Sequence, residues 1–165
     1  MSLSRPVQAA PIPLDATDIR LLELLQADAS LTNLALAEAA HVSPATALRR
    51  VKRLTEAGVI ARQVALLGDA LVAAGLSVIA EVSLDVQSVE RLDAFEARAV
   101  AEPAVQQCWR VSPGPDFVLV LWVADMAAWG ALVQRLFTAD ANVRNVKSFF
   151  GVKRAKFDPG VVLRA

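Results

Sequence analysis

The side chains with chemistry to offer gather in one stretch, SPATALRRVKRLTEAGVI, from Ser43 to Ile60. Two hydroxyls, Ser43 and Thr46, precede four cations, Arg49, Arg50, Lys52 and Arg53. Such groups attract phosphate oxygens and hydrogen-bond to base edges. They are not a set for acid–base or nucleophilic work. The chain shows no paired-carboxylate or nucleophile constellation and no Gly-rich phosphate loop, so no enzyme and no catalytic residue is read from it. His41 is the single histidine and Cys108 the single cysteine. Far apart in sequence, they do not make a zinc site, and no metal is assigned. A local structural role suits His41, and a small packing role suits Cys108.

A helix must present the cations. Ser43 can accept a backbone N–H as N-cap, Pro44 fits the first helical position, and Gly58 supplies a C-cap. Ala47, Val51 and Leu54 recur at spacings of four and three and form a core-facing stripe. Thr46, Arg49, Arg50 and Arg53 fall mainly on the remaining surface, with Lys52 beside them. Two helices precede it. The first starts near Asp15 or Thr17 and carries Ile19, Leu21, Leu22 and Leu25. Asp28-Ala29-Ser30 breaks it, and the second begins after Thr32 with Leu34, Leu36 and Ala37. His41 and Val42 form the turn into Ser43. A polar, basic helix after a tight turn is the helix-turn-helix arrangement for the DNA major groove. Beyond Ile60, Arg62 to Leu66 reads as an extended arm or wing.

The 17 basic and 17 acidic residues cancel over 165 residues. The balance is local, however. From Ser43 to Leu67 there are five basic residues (Arg49, Arg50, Lys52, Arg53, Arg62) and one acidic, Glu56. Local potential, not the total, steers a phosphate backbone. A hydrophobic content of 55% argues against disorder. No stretch of about 20 apolar residues spans a bilayer, and no basic-then-apolar leader is visible. With one cysteine, a reducing cytoplasm is the expected setting.

From Leu76 the pattern changes. Leu76, Val78, Ala80, Val82 and Leu84 alternate as a strand. Val89, Leu92, Phe95, Ala99 and Val100 share a helix face, which Glu102-Pro103 ends. Val105, Gln107, Trp109 and Val111 alternate again, and Ser112-Pro113-Gly114-Pro115 is a turn. A strand follows from Phe117 to Val123, then a helix carrying Trp129, Leu132, Val133, Leu136 and Phe137. The last strand signal lies in residues 143–157, with Val146, Ser148, Phe150 and Val152 on one face. The order β-α-β-β-α-β predicts a ferredoxin-like, four-stranded antiparallel sheet with two helices on one face. The fold class is therefore α+β: residues 1–13 a flexible arm, 14–67 a winged helix-turn-helix DNA-binding domain, 68–75 a linker, 76–157 the ferredoxin-like domain and 158–165 a C-terminal tail, of which Gly160 to Ala165 is expected to reach a neighbouring subunit. The helix-free sheet face would expose apolar side chains, and a second copy can bury it.

In combination, these features resemble the Lrp/AsnC family of transcription regulators over roughly residues 14–157. The markers are Leu14-Asp15 with Asp18 and Leu22, then Ser43, Thr46, Arg49-Arg50-Val51 and Leu54 with Gly58-Val59-Ile60, then Val111-Ser112 and Asp116-Phe117. The resemblance implies a sequence-specific, double-stranded-DNA-binding transcriptional regulator. It also implies a homodimer assembled into a tetramer or octamer, an effector-sensing and oligomerisation role for the C-terminal domain, and a small-molecule effector, commonly an amino acid; no resident cofactor and no membrane partner are expected. Ser43, Thr46, Arg49, Arg50, Lys52 and Arg53 then form the DNA-binding set. Ser43 serves either DNA or the helix cap, while Lys52 and Arg53 suit phosphates better than bases. The effector segment matches Ser112 to Phe117, with Gly114 and Asp116 as its binding residues. Asp116 either receives an effector's amino group or serves turn and interface electrostatics. Pro113 departs from the family pattern, standing where many members have glycine, and supplies no N–H.

Two alternatives compete with this reading. One is a stand-alone small-molecule sensor or assembly protein whose reader has become structural. The other is a tetrapyrrole decarboxylase built from related modules. The absence of a C-terminal histidine and of any tyrosine argues against the decarboxylase.

Overall fold

The computed structural model describes residues 12–163. All but the last two residues of the proposed N-terminal arm lie outside that range. The described residues form two compact units, one of residues 12–66 joined by residues 156–163, the other of Leu67–Ala155.

The first unit holds α1 (Ala16–Ala27), α2 (Asn33–Ala39) and α3 (Pro44–Glu56). Each begins at a side chain that accepts an otherwise unbonded backbone N–H. Asp15 accepts from Thr17 and Asp18, and Asp18 returns the bond to the Asp15 N–H, closing a reciprocal cap. Thr32 caps α2 through the Ala35 N–H and Ser43 caps α3 through the Thr46 N–H. Two left-handed residues turn the chain. His41 has φ 57° between α2 and α3, and Gly58 has φ 73° after α3. Leu21, Leu36, Ala37, Ala40 and Ala47 form the core, with Leu24, Leu25 and Val51 packed on it. Residues 61–68, where the sequence suggests an extended arm or wing, adopt no regular secondary structure.

The described residues of the C-terminal tail belong to this helical unit. Gln26 at the end of α1 bonds to Val161, and Pro159 to Val161 with Leu163 line an apolar cleft of about 680 Å³ together with Leu22, Leu25, Val59, Ile60 and Leu66. The two bonds from Gln26 hold the tail along this cleft.

In the second unit a short helix, α4 (Asp69–Val72), leads into β1 (Leu76–Leu84). Then come α5 (Val89–Ala101), β2 (Val105–Arg110), β3 (Phe117–Val123), α6 (Met126–Leu132) and β4 (Val143–Phe150). The sheet order is β2-β3-β1-β4, antiparallel throughout. Helix α6 continues as a wider π-helical turn over Val133–Thr138. One sheet face packs Val78, Ala80, Val82, Leu84, Phe117, Leu119, Leu121 and Val123 against Phe95 and Ala99 of α5 and Trp129 and Leu132 of α6. This is the expected two-layer β-α-β-β-α-β arrangement. The last strand is shorter than the sequence suggested. It stops at Phe150, the Gly151 N–H bonds to the Ser77 carbonyl at 2.8 Å, and Val152 is fully exposed.

Strand alternation sends Ile79, Glu81, Trp109, Val118, Val120, Trp122, Lys147 and Phe149 to the face without helices. There Ile79 pairs with both Val120 and Phe149, and Trp109 pairs with Val118. Trp109 is 58% exposed on this open face. Trp122 instead donates its indole N–H to the Val72 carbonyl at 2.9 Å.

Candidate nucleic-acid interface

The basic set on α3 divides into two groups with different surroundings. Arg50 turns toward α1. Its Nη1 donates to Asp15 Oδ2 at 2.7 Å and to Asp18 Oδ1 at 2.8 Å. Its Nε is buried and has no hydrogen-bond partner among the described residues. Arg53 donates from Nη2 to the other oxygen of Asp18. Asp18 is only 1% exposed, so its charge is held by three donors: these two guanidiniums and the Asp15 N–H at 3.2 Å. Burial pushes the Asp18 carboxyl up, but the bonds from Arg50, Asp15 and Arg53 outweigh it, and the net shift is downward. Asp15 is also lowered, first by the Asp18 N–H and then by Arg50.

Arg49 and Lys52 face the other way. Arg49 is exposed and makes no ion pair among the described residues. Lys52 lies 3.8 Å from Glu56 one turn on, with both side chains well exposed. Such a pair is worth little in water and leaves the ammonium available. The two hydroxyls at the start of α3 are mutually engaged, Ser43 Oγ lying 2.9 Å from Thr46 Oγ1 while it also accepts the Thr46 N–H. Ser43 is exposed and Thr46 is half-buried.

Leu48 is a further surface residue of α3, outside the set of hydroxyls and cations that the sequence pattern marks. It is 60% exposed between the core stripe and Arg49. A large apolar side chain on the solvent face of such a helix can meet a thymine methyl in the major groove. Helical arithmetic carries the signal in outline, because Leu48 falls outside the stripe of Ala47, Val51 and Leu54.

In the sheet unit, the proposed effector segment lies between β2 and β3. Asp116 is bound at three points: its carboxylate accepts the Leu84 N–H at 2.7 Å, its own N–H bonds to the Val82 carbonyl at 2.9 Å, and its carbonyl accepts the Val111 N–H at 3.1 Å. Gly114 has φ 120°, a conformation that favours glycine, and nothing crowds it. Nearby, the buried Asn142 bonds in both directions to the Val86 backbone. The turn is thus held from several sides, while one oxygen of Asp116 accepts no bond among the described residues.

No group of His, Cys, Asp and Glu among the described residues could hold a metal ion, and no described helix is long and apolar enough to cross a membrane.

A capped helix-turn-helix with a free basic face, followed by an antiparallel sheet with one uncovered side, defines a two-module DNA-binding regulator. Comparison with known proteins gives the family. A winged helix-turn-helix DNA-binding profile matches residues 14–61, and the Lrp/AsnC ligand binding domain matches residues 77–161. The chain belongs to the Lrp/AsnC family. A leucine-responsive regulatory protein of Rhizobium meliloti is 37% identical over 145 residues, 88% of this chain and 93% of its own. An uncharacterized HTH-type transcriptional regulator of Haemophilus influenzae is 35% identical over 150 residues, 91% of this chain and 89% of its own. Among solved structures, a transcriptional regulator of Neisseria meningitidis in complex with L-Met superposes with a TM-score of 0.82 at 31% identity, covering 91% of this chain and 97% of that one. The protein is a sequence-specific DNA-binding transcription regulator. The decarboxylase and reader-less alternatives are set aside.

Proposed function

We propose that α3 enters the major groove with Leu48, Arg49 and Lys52 outward, and that Arg50 and Arg53 mainly hold the helix in place. The observation that carries this reading is the split of the basic set: two arginines committed to α1 carboxylates, two cations turned to solvent. Arg49 suits a guanine edge and Leu48 a thymine methyl. Lys52 suits a phosphate. Ser43 closes the cap and offers its remaining hydroxyl capacity to the backbone, with Thr46 beside it.

The same reading assigns the sheet unit to assembly and sensing. The open face, with Ile79, Trp109 and Phe149 exposed, is buried against a second copy to give a homodimer, and dimers assemble further into a tetramer or octamer. The effector is an amino acid or related small molecule. Its ammonium meets the unbonded oxygen of Asp116, and Gly114 lets the backbone approach it closely. The regulator works in the cytoplasm. An effector acts by binding two assembly or spacing states unequally.

Selection of genomic fragments at fixed salt tests the reader assignment. Wild type is expected to enrich one quasi-palindromic motif, and Arg49→Ala is expected to lose it. Equal, sequence-independent recovery by both would remove α3 from the recognition surface.

A further inference from the structure

Four cations on a recognition helix imply a strong, sequence-blind grip on DNA, because each neutralised phosphate adds about 0.9 to the slope of log affinity against log salt. Two of these four are already neutralised inside the protein. Arg50 bonds to Asp15 and Asp18, and Arg53 bonds to Asp18. Asp18 lies in α1 and Asp15 caps it, so the pairing joins separate helices.

We propose that Asp15 and Asp18 compete with DNA phosphate for Arg50 and Arg53, and so set how much of the protein's DNA affinity is independent of sequence. The proposal rests on α3 being the groove helix. A carboxylate offers a guanidinium the same charge-assisted acceptors that a phosphate does. The competitor is built in, so its bond forms without the loss of freedom that an arriving DNA must bear. Asp18 is nearly fully buried, and releasing its partners would leave a charge with neither water nor counterion. Arg53 therefore stays with Asp18 although its own side chain is 45% exposed. The buried Nε of Arg50 likewise shows a guanidinium drawn inward. The helix thus meets the duplex with Arg49 and Lys52 as its working cations. Discrimination then falls more heavily on base contacts, because the general phosphate attraction is held down.

The test measures affinity of the full chain for a duplex of unrelated sequence across a range of salt. Asp18→Asn is expected to release one or both arginines, steepening the slope by about one to two units per recognition helix. Over a fourfold change in salt, each released arginine changes the affinity ratio of variant to wild type by about 3.5-fold. Arg53→Gln supplies the decisive second variant, since its side chain is half exposed and Arg50 still neutralises Asp18. In the wild-type background it is expected to leave the slope unchanged, and in the Asp18→Asn background to cancel part of the rise. A slope that falls by about one unit on Arg53→Gln alone would show that Arg53 already contacts phosphate, and would overturn the proposal even if Asp18→Asn failed to fold. A folded Asp18→Asn protein with an unchanged slope would overturn it as well. Arg49→Ala separates this outcome from failure of the groove assignment: it is expected to lower the slope by about one unit, and no change would remove α3 from DNA altogether.

Discussion

Gln26 brackets Val161 from both sides: its Oε1 accepts the Val161 N–H at 2.7 Å, and its Nε2 donates to the Val161 carbonyl at 3.2 Å. The two residues are 135 positions apart, and the clasp makes the end of the chain part of the helical unit. Ending the chain after Asp158 is expected to lower the stability of that unit by about 1–2 kcal/mol, through lost apolar cover and two lost hydrogen bonds. Gln26→Ala should reproduce about half of the effect. Helical circular dichroism during urea unfolding reads it, and superimposable curves for all three proteins would refute a structural role for the tail.

Acid should loosen the grip of α1 on α3. The folded Asp18 carboxyl titrates below its ordinary value of 3.8. Its contribution to stability is therefore complete above about pH 4 and is lost as pH falls through the lower, folded value. Wild type is expected to lose stability below pH 4 faster than Asp18→Asn, by up to about 1.4 kcal/mol per pH unit for one proton. Denaturant unfolding between pH 2 and 6 measures the difference, and parallel curves would show that the carboxylate is not held as described.

Gly75 cannot be enlarged cheaply. A Cβ there would stand 2.4 Å from the Trp122 ring and 2.6 Å from the Val123 carbonyl oxygen. Gly75→Ala is expected to destabilise the sheet unit by about 1–3 kcal/mol and to disturb the Trp122 bond to Val72. A melting temperature within one degree of wild type would contradict that crowding.

Cys108 should react slowly while the protein is folded. Burial first, and Glu96 second, push its thiol up to about 11. Few molecules then carry a thiolate near neutral pH, and the thiolate is the reactive form. Iodoacetamide at pH 8 is expected to modify the native protein on the order of a hundredfold more slowly than the urea-unfolded chain. Comparable rates would mean that the thiol is accessible in the folded protein.

The local grammar of α3 was legible in the sequence. Ser43, Pro44 and Gly58 act within a few residues of their positions, and the Ala47, Val51 and Leu54 stripe needs only the helical repeat. The sheet was legible for a similar reason, since alternation in β1 and β3 matches a buried face. What escaped was non-local. Arg50 and Arg53 find their acids 32 and 35 positions earlier, so charge counted along one helix overstates its free cations. The clasp of Gln26 on Val161 is longer still and leaves no periodic trace. The π-helical turn after Leu132 and the end of β4 at Phe150 likewise depend on packing rather than on local residue preference.

All three tryptophans lie in the sheet unit, and the chain has no tyrosine. The protein's own tryptophan fluorescence therefore originates wholly in the sheet unit. Trp109 stands out on the open face while Trp129 is buried at 7% exposure. Covering that face should shift the emission of Trp109 to the blue, so assembly can be followed optically without attaching a dye.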